Sequence, residues 1–262
     1  MESIPLLGLG TWDLRGSECV RAVHEALDIG YRHIDTAQMY ENESEVGRGL
    51  GESGVDREHV FVTTKLWTNN LTRRAVASSF EESLKRLGID YVDLLLIHWP
   101  NPNVPLEETL EAMMRLRDSG AARAIGVSNF PVALWERGLE LAPVPFNQVE
   151  YHPFLDQSAL LELARNRGLQ LVAYRPIAKG SVADEPVIQE IARRCERTPI
   201  QVALRWLVQR GVVVIPKSAR RPHLEENFQI FDFELTDDEL DRIAALGRGE
   251  RFVDPGWAPG WD

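Results

Sequence analysis

The sequence predicts a closed (β/α)8 barrel that takes up residues 1–262 as a single domain. Eight short runs rich in leucine or β-branched residues alternate with longer stretches of helical period, the pattern of strand–helix units feeding a parallel sheet. Shared among eight units, 262 residues leave about 33 each, enough for a strand, a crossover helix and two short loops. A doubly wound open sheet would alternate in the same way, but its dinucleotide fingerprint is absent. Gly8-Leu9-Gly10 runs into Thr11-Trp12-Asp13 with no third glycine before a helix, and the glycines within 47–51 lie inside a helical pattern with no strand ahead of them.

In chain order the predicted strands are Leu6–Gly10, Tyr31–Thr36, Val60–Lys65, Val92–His98, Arg123–Val127, Phe146–Glu150, Leu169–Tyr174 and Val212–Pro216, each followed by helical pattern. Ser17 is expected to cap the first helix, which Gly30 ends; Thr72 is expected to cap the third, with Gly88 closing it. No Pro/Ser/Gly-rich linker breaks the series.

Composition narrows the partners. Hydrophobic residues at 44% and charged residues at 26%, with glycine and proline dispersed, exclude a disordered or collagen-like chain. A net charge of −11 repels nucleic acid and anionic membranes, so a small-molecule partner is expected. No stretch approaches the roughly 18 consecutive apolar residues that span a bilayer. Cys19 and Cys195 both fall in amphipathic helical patterns and the first residues lack a basic, then apolar leader, so a reducing, cytoplasmic setting is expected.

In such barrels the active site lies at the carboxyl ends of the strands. Asp35 ends the second run, Lys65 the third and His98 the fourth, and Tyr40 follows Asp35 on the next loop. The chain has only four lysines, and Lys65 and Lys217 both sit at strand ends, where an ammonium group must be paired. Singly, each residue has a plain structural use: Asp35 as a helix cap, Lys65 snorkelling, His98 hydrogen-bonded in the core, Tyr40 packing a loop. Together they form a proton-handling set. Asp35 would hold Lys65 charged, and Lys65 would draw the Tyr40 phenol from its usual pKa of about 10 towards neutrality, where it serves as general acid. His98 would add a hydrogen bond near the same oxygen.

These residues lie in motifs that resemble the aldo-keto reductase superfamily: GLGTW (8–12), HIDTAQMYENE (33–43), VTTKLW (62–67), DLLLIHWP (93–100), GVSNF (126–130), NQVEYHP (147–153), AYRPIAKG (173–180) and VIPKS (214–218). They run nearly the full length in the family's order, and are most similar to the small bacterial 2,5-diketo-D-gluconate and methylglyoxal-type reductases. The resemblance implies a metal-free reductase with Asp35, Tyr40, Lys65 and His98 as its catalytic tetrad. A nicotinamide dinucleotide would lie across the barrel mouth, delivering hydride to a carbonyl carbon while Tyr40 protonates the oxygen.

By the same resemblance, Ser128, Asn129 and Gln148 would hold the carboxamide and Tyr174 would stack on the nicotinamide. Gly10, Thr11, Asp35 and Ile177 would also border the cofactor. Lys217 and Ser218 would grip the 2′-phosphate of NADP with Arg220 near it, and Glu226 and Asn227 would lie by the adenine. Two departures stand out. Arg175 replaces the usual serine after the stacking tyrosine, so Arg175 or Lys179 could hold the pyrophosphate, or Arg175 could face solvent. His223 stands where the family commonly keeps an arginine, so NADPH is expected to be preferred and NADH to be accepted as well. Trp12, Trp67, His98, Trp99, Asn101 and Trp257 would face the substrate. The short loops after His98 and Tyr174 suit small aldehydes, α-dicarbonyls and keto-sugars. A monomer is expected from the family.

Two other readings compete. His33, His98 and His152 near strand ends would suit a metal-dependent barrel hydrolase, although no H-x-H pair ends the first strand. A non-catalytic, nucleotide-binding member of the same fold would keep these residues without using them.

Overall fold

The computed structural model describes residues 4–261. Eight parallel strands pair in chain order: β1 (Leu9–Gly10), β2 (His33–Asp35), β3 (Phe61–Leu66), β4 (Val92–Ile97), β5 (Ala122–Ser128), β6 (Phe146–Glu150), β7 (Gln170–Tyr174) and β8 (Val213–Val214). The two edges of the sheet meet. Leu7 forms a parallel bridge with Val214, the Gly8 amide donates to the Val214 carbonyl at 2.9 Å, and the Gly10 amide donates to the Pro216 carbonyl at 3.1 Å. The strands thus curl as a (β/α)8 fold requires.

Around them run α1 (Gly16–Ile29), α2 (Glu43–Glu52), α3 (Arg73–Leu87), α4 (Leu106–Asp118), α5 (Val132–Leu141), α6 (Ser158–Arg167), α7 (Pro186–Cys195), α8 (Pro199–Gln209), α9 (Arg221–Phe228) and α10 (Asp237–Ala244). Each of the eight expected runs overlaps a strand, although β3 and β5 run a residue beyond their expected bounds and β1 and β8 keep only two ladder residues. Thr72 caps α3 as expected, accepting from the Ala75 amide, and Gly88 ends it in the left-handed region. Ser17 does not cap α1. The chain leaves the preceding loop through Gly16 at φ 51°, which puts Arg15 at the cap position and Ser17 inside the first turn.

Side-chain alternation along the strands builds two cores and aims the polar groups. On β4, Leu94 and Leu96 join Ala124, Phe146, Val172, Val213 and Ile215 inside the barrel, whereas Leu95 and Ile97 pack outward against the helices. Space inside is tight. A Cβ on Gly126 would come within 2.8 Å of both Leu96 and the Phe146 carbonyl, so only glycine fits there. Extended to the carboxyl ends of the strands, this alternation brings Asp35, Lys65, Ser128, Gln148 and Tyr174 together at one mouth of the barrel.

The opposite end of the strands carries a charge cluster. Asp93, on β4, accepts from Arg57 at 2.7 Å, Arg123 at 3.0 Å and the Val62 amide at 2.9 Å. The two guanidinium groups lie 4.1 and 4.0 Å from the centre of the Tyr91 ring.

Candidate active site

A cavity of about 550 Å³ opens at the carboxyl ends of the strands, a size suited to a small-molecule site. At its floor is a buried polar cluster. Lys65 is wholly buried, and its ammonium donates to Asp35 Oδ1 at 2.5 Å, to the Thr36 carbonyl at 2.9 Å and to Tyr40 Oη at 3.2 Å. Gln148 donates to the other Asp35 oxygen at 2.7 Å. Lys65 therefore does not snorkel, and its charge is met on three sides.

Asp35, Tyr40 and His98 line the cavity; Lys65 lies just beneath it. The His98 ring sits edge-on to Tyr40 with centroids 5.5 Å apart, and also edge-on to Trp67 at 5.2 Å. No hydrogen bond joins His98 to the phenol, so that part of the expected set is a packing contact. His98 Nδ1 is buried without a partner.

Electrostatics corrects one expectation. Burial, with the Asp35 carboxylate behind it, drives the Tyr40 phenol well above the usual tyrosine range, and the Arg175 cation only opposes this. The phenol is not drawn towards neutrality, because burial of the residue at the cavity floor, with the Asp35 carboxylate beside it, outweighs a neighbouring ammonium that is itself neutralised by Asp35. Burial also pushes Lys65 down, against Asp35 and then Glu43, and pushes Asp35 up, against Lys65 and Gln148. Burial and then the Lys65 charge hold His98 well below the usual imidazole range. Tyr40 is thus protonated and His98 neutral at ordinary pH.

The cavity wall comes from β5, β6, β7 and the loops after them. Ser128 donates to the Gln148 carbonyl at 2.7 Å, Asn129 donates to the His98 carbonyl at 2.9 Å, and Tyr174 donates to Asn129 Oδ1 at 2.8 Å. Gly10, Ser128, Asn129, Gln148, Tyr174, Arg175, Ile177, Lys179 and Lys217 all reach the cavity. Thr11 lies behind it, donating to the Asp35 carbonyl at 2.9 Å. Asp13, Asn129, Arg175 and Lys179, all of which line the cavity, hold positive φ values of 64°, 61°, 50° and 56°. Such strain gathers where a site over-determines the backbone.

Other expected residues lie farther out. Ser218 accepts from the Arg220 amide at 3.1 Å in the turn before α9, and exposed His223 is in the first turn of that helix. Glu226 accepts from the Thr198 hydroxyl at 2.5 Å, and Asn227 is buried. None of these five lines the cavity. Among the tryptophans, Trp12 and Trp99 line it, with Trp12 edge-on to Tyr40 at 5.0 Å. Trp67 and Asn101 stand just outside the lining, Asn101 donating to the Thr68 carbonyl at 3.0 Å, and Trp257 crosses Trp67 at 6.1 Å and Trp99 at 5.3 Å.

Met39, Pro216 and Val253 in the lining, and Trp261 packing on Trp99 at 5.8 Å, were not expected. Their positions depend on loop and tail paths that carry no periodicity. His33, His98 and His152 do not converge: His33 pairs with Thr63 at 3.2 Å and His152 with Glu150 at 3.0 Å. Among the described residues no group of three or more His, Cys, Asp or Glu is placed to hold a metal ion, and no helix is long and apolar enough to cross a membrane.

Against known proteins, residues 6–248 match the Aldo/keto reductase family. An aldo-keto reductase of Mycolicibacterium smegmatis is 45% identical over 95% of this chain and 92% of its own length. The methylglyoxal reductase DkgB of Escherichia coli O157:H7 is 40% identical over 99% of this chain and 100% of its own. A crystal structure carrying the name 2,5-diketo-D-gluconic acid reductase B superposes with a TM-score of 0.96 at 46% identity, covering 99% of this chain and 94% of that one.

Proposed function

Since the chain belongs to the aldo/keto reductase family and is an oxidoreductase acting on carbonyls, we propose that it reduces small aldehydes, α-dicarbonyls or keto-sugars to alcohols with NADPH, Tyr40 acting as general acid. The observation that carries this reading is the Lys65 ammonium bridging Asp35 Oδ1 and Tyr40 Oη at the cavity floor. It fixes the phenol by a donated hydrogen bond, so that the Oη proton is free to point into the cavity towards a carbonyl oxygen.

Enzymes of this family use nicotinamide cofactors, generally NADPH, and the residues present fit one. The Tyr174 ring offers a flat wall held by Asn129, and Arg175, Lys179 and Lys217 place three cations around the same cavity for phosphate groups. A reduced nicotinamide bound there supplies the hydride. Ser128, Asn129 and Gln148 would meet its carboxamide, with Lys217, Ser218 and Arg220 toward the 2′-phosphate and Glu226 and Asn227 toward the adenine. Arg175 or Lys179 would meet the pyrophosphate.

Tyr40 gives its proton to the carbonyl oxygen as the carbonyl carbon gains hydride, and the product is an alcohol. The Lys65 ammonium then faces the phenolate that remains and stabilises it until a proton returns from solvent. Neutral His98 and the indoles of Trp12 and Trp99 would shape the space for the carbonyl compound. A cavity of about 550 Å³ that must also receive a nicotinamide favours small substrates.

The test is NADPH and NADH oxidation by wild type and Tyr40→Phe against 2,5-diketo-D-gluconate, methylglyoxal, glyceraldehyde and a nitrobenzaldehyde. Wild type should turn over at least one with NADPH preferred. Undiminished turnover in the phenylalanine variant would remove Tyr40 from the acid role.

A further inference from the structure

Glu150, the last residue of β6, is fully buried, lies in register with Tyr174 on β7, and takes no part in the proton-handling cluster. Its carboxylate is turned to a distant part of the chain. Oε1 accepts from the Phe252 amide at 2.8 Å and Oε2 from the Val253 amide at 2.9 Å, while His152 Nε2 lies 3.0 Å from Oε1. Burial alone would push this carboxyl up, but the His152 contact and the two amides outweigh it and hold it below the usual carboxylate range. A buried carboxylate is costly unless it is met in this way.

The segment it holds is the stretch after α10, which has no helix or strand of its own through residue 261. Its path is fixed at two places on the barrel. Upstream, the Arg248 and Glu250 amides both donate to the Phe154 carbonyl at 3.1 Å, and the Arg248 guanidinium lies 3.8 Å from the Phe154 ring centre. The second place is Glu150. From there Val253 enters the cavity wall, and Trp257 lies edge-on to Trp67 and Trp99. Aromatic contacts of this kind tolerate sliding and tilting, whereas two amides on two oxygens of one carboxylate fix both register and direction.

We propose that Glu150 is a positioning residue for the carbonyl-binding pocket: its carboxylate docks the C-terminal strap at Phe252 and Val253 and so sets where Val253 enters the cavity wall and where Trp257 packs on Trp67 and Trp99. This deepens the reductase reading and rests on it for the substrate. The clamp itself can be read without turnover.

The experiment compares wild type, Glu150→Gln and Val253→Pro. The amide of glutamine turns one acceptor into a donor facing an N–H, and proline removes one of the two N–H groups without altering the barrel. Hydrogen exchange over residues 250–257 should quicken by about ten- to a hundredfold in both, with β6 and β7 unchanged. Acrylamide quenching of tryptophan fluorescence should rise as Trp257 loosens and uncovers the buried Trp99.

In Glu150→Gln, KM for methylglyoxal should rise about tenfold while kcat and the NADPH Kd, measured by fluorescence titration, stay within about twofold. Unchanged exchange at 250–257 in both variants would overturn the proposal. So would exchange rising equally in β6 and β7, or a Kd for NADPH that moves with KM, since a general loss of structure gives both. If Glu150→Gln does not fold, Val253→Pro carries the exchange and quenching comparison, with unchanged exchange at 250–257 again overturning the proposal. Should wild type reduce no carbonyl at all, the reductase reading falls, and exchange with quenching still decides the clamp.

Discussion

Lys65→Met removes a side chain that is fully buried and donates to three acceptors. The acceptor that suffers is Asp35. Its remaining side-chain partner is the Gln148 amide at 2.7 Å, a neutral donor in place of an ammonium. Breaking a buried ion pair from one side costs about 3–5 kcal/mol, and at about 2–4 °C per kcal/mol for a chain of this size Tm should fall by roughly 6–20 °C. Adding Asp35→Asn removes the stranded charge, so the double variant should be more stable than Lys65→Met alone.

The deficit has a pH dependence of known sign. With Lys65 gone, burial raises the folded-state pKa of Asp35 further above its unfolded value. The penalty is therefore complete where the carboxyl is ionised and shrinks as pH falls through that raised pKa. Urea unfolding of the four-member cycle at neutral and mildly acidic pH measures this. Strictly additive penalties, or a Lys65→Met deficit indifferent to pH, would refute the view that Lys65 and Asp35 form one coupled unit. Turnover in Lys65→Met should fall by at least about a hundredfold, since Tyr40 Oη loses its positive neighbour.

Tyr40→Phe should lower kcat by about a hundred- to ten-thousandfold with the NADPH Kd unchanged, as only the proton donor is lost. Because burial keeps the Tyr40 phenol well above the usual range, carbonyl reduction by wild type should be level through neutral pH and decline only in strong alkali; a pH–rate profile with a Tyr40-dependent fall near neutrality would contradict this. Trp99→Ala should raise KM for small aldehydes and admit bulkier ones in a substrate panel, whereas equal loss of kcat on every substrate would place Trp99 in the catalytic scaffold. His223→Arg should raise the NADPH-to-NADH ratio of kcat/KM a few-fold, about the scale of one exposed charge contact, and an unmoved ratio would show that α9 does not reach the 2′-phosphate.

The strands and the convergence of Asp35, Lys65 and His98 were legible because both follow from local pattern: apolar runs mark the strands, and a period of two fixes which of their last residues face inward. Tyr40 was legible only through the motif around it, since it ends a single 3-10 turn, Gln38–Tyr40, that follows neither the strand nor the α-helix period. The sign of its pKa shift was not, because it depends on how far the folded chain buries the residue and on the Asp35 carboxylate set beside it. Ser17 illustrates a local rule overruled by its neighbour, Gly16, where the helix starts two residues early with Arg15 at the cap. Glu150 ends its strand as Lys65 nearly ends β3, yet its partners at Phe252 and Val253 lie on a tail without periodicity, and no spacing in the sequence announces them.

The scarcity of lysine makes the chain its own chemical reporter. Of the four side-chain amines, Lys65 is sealed from solvent, whereas Lys85, Lys179 and Lys217 are exposed. An acylating reagent applied to the native protein should modify those three and spare Lys65 until the chain unfolds, so peptide mapping of one adduct tracks integrity of the barrel. Lys179 and Lys217 border the cavity and Lys85, on α3, does not. A ligand filling the cavity should therefore slow acylation at the first two against an internal standard at the third, giving an occupancy measurement that needs no turnover and no spectroscopic label.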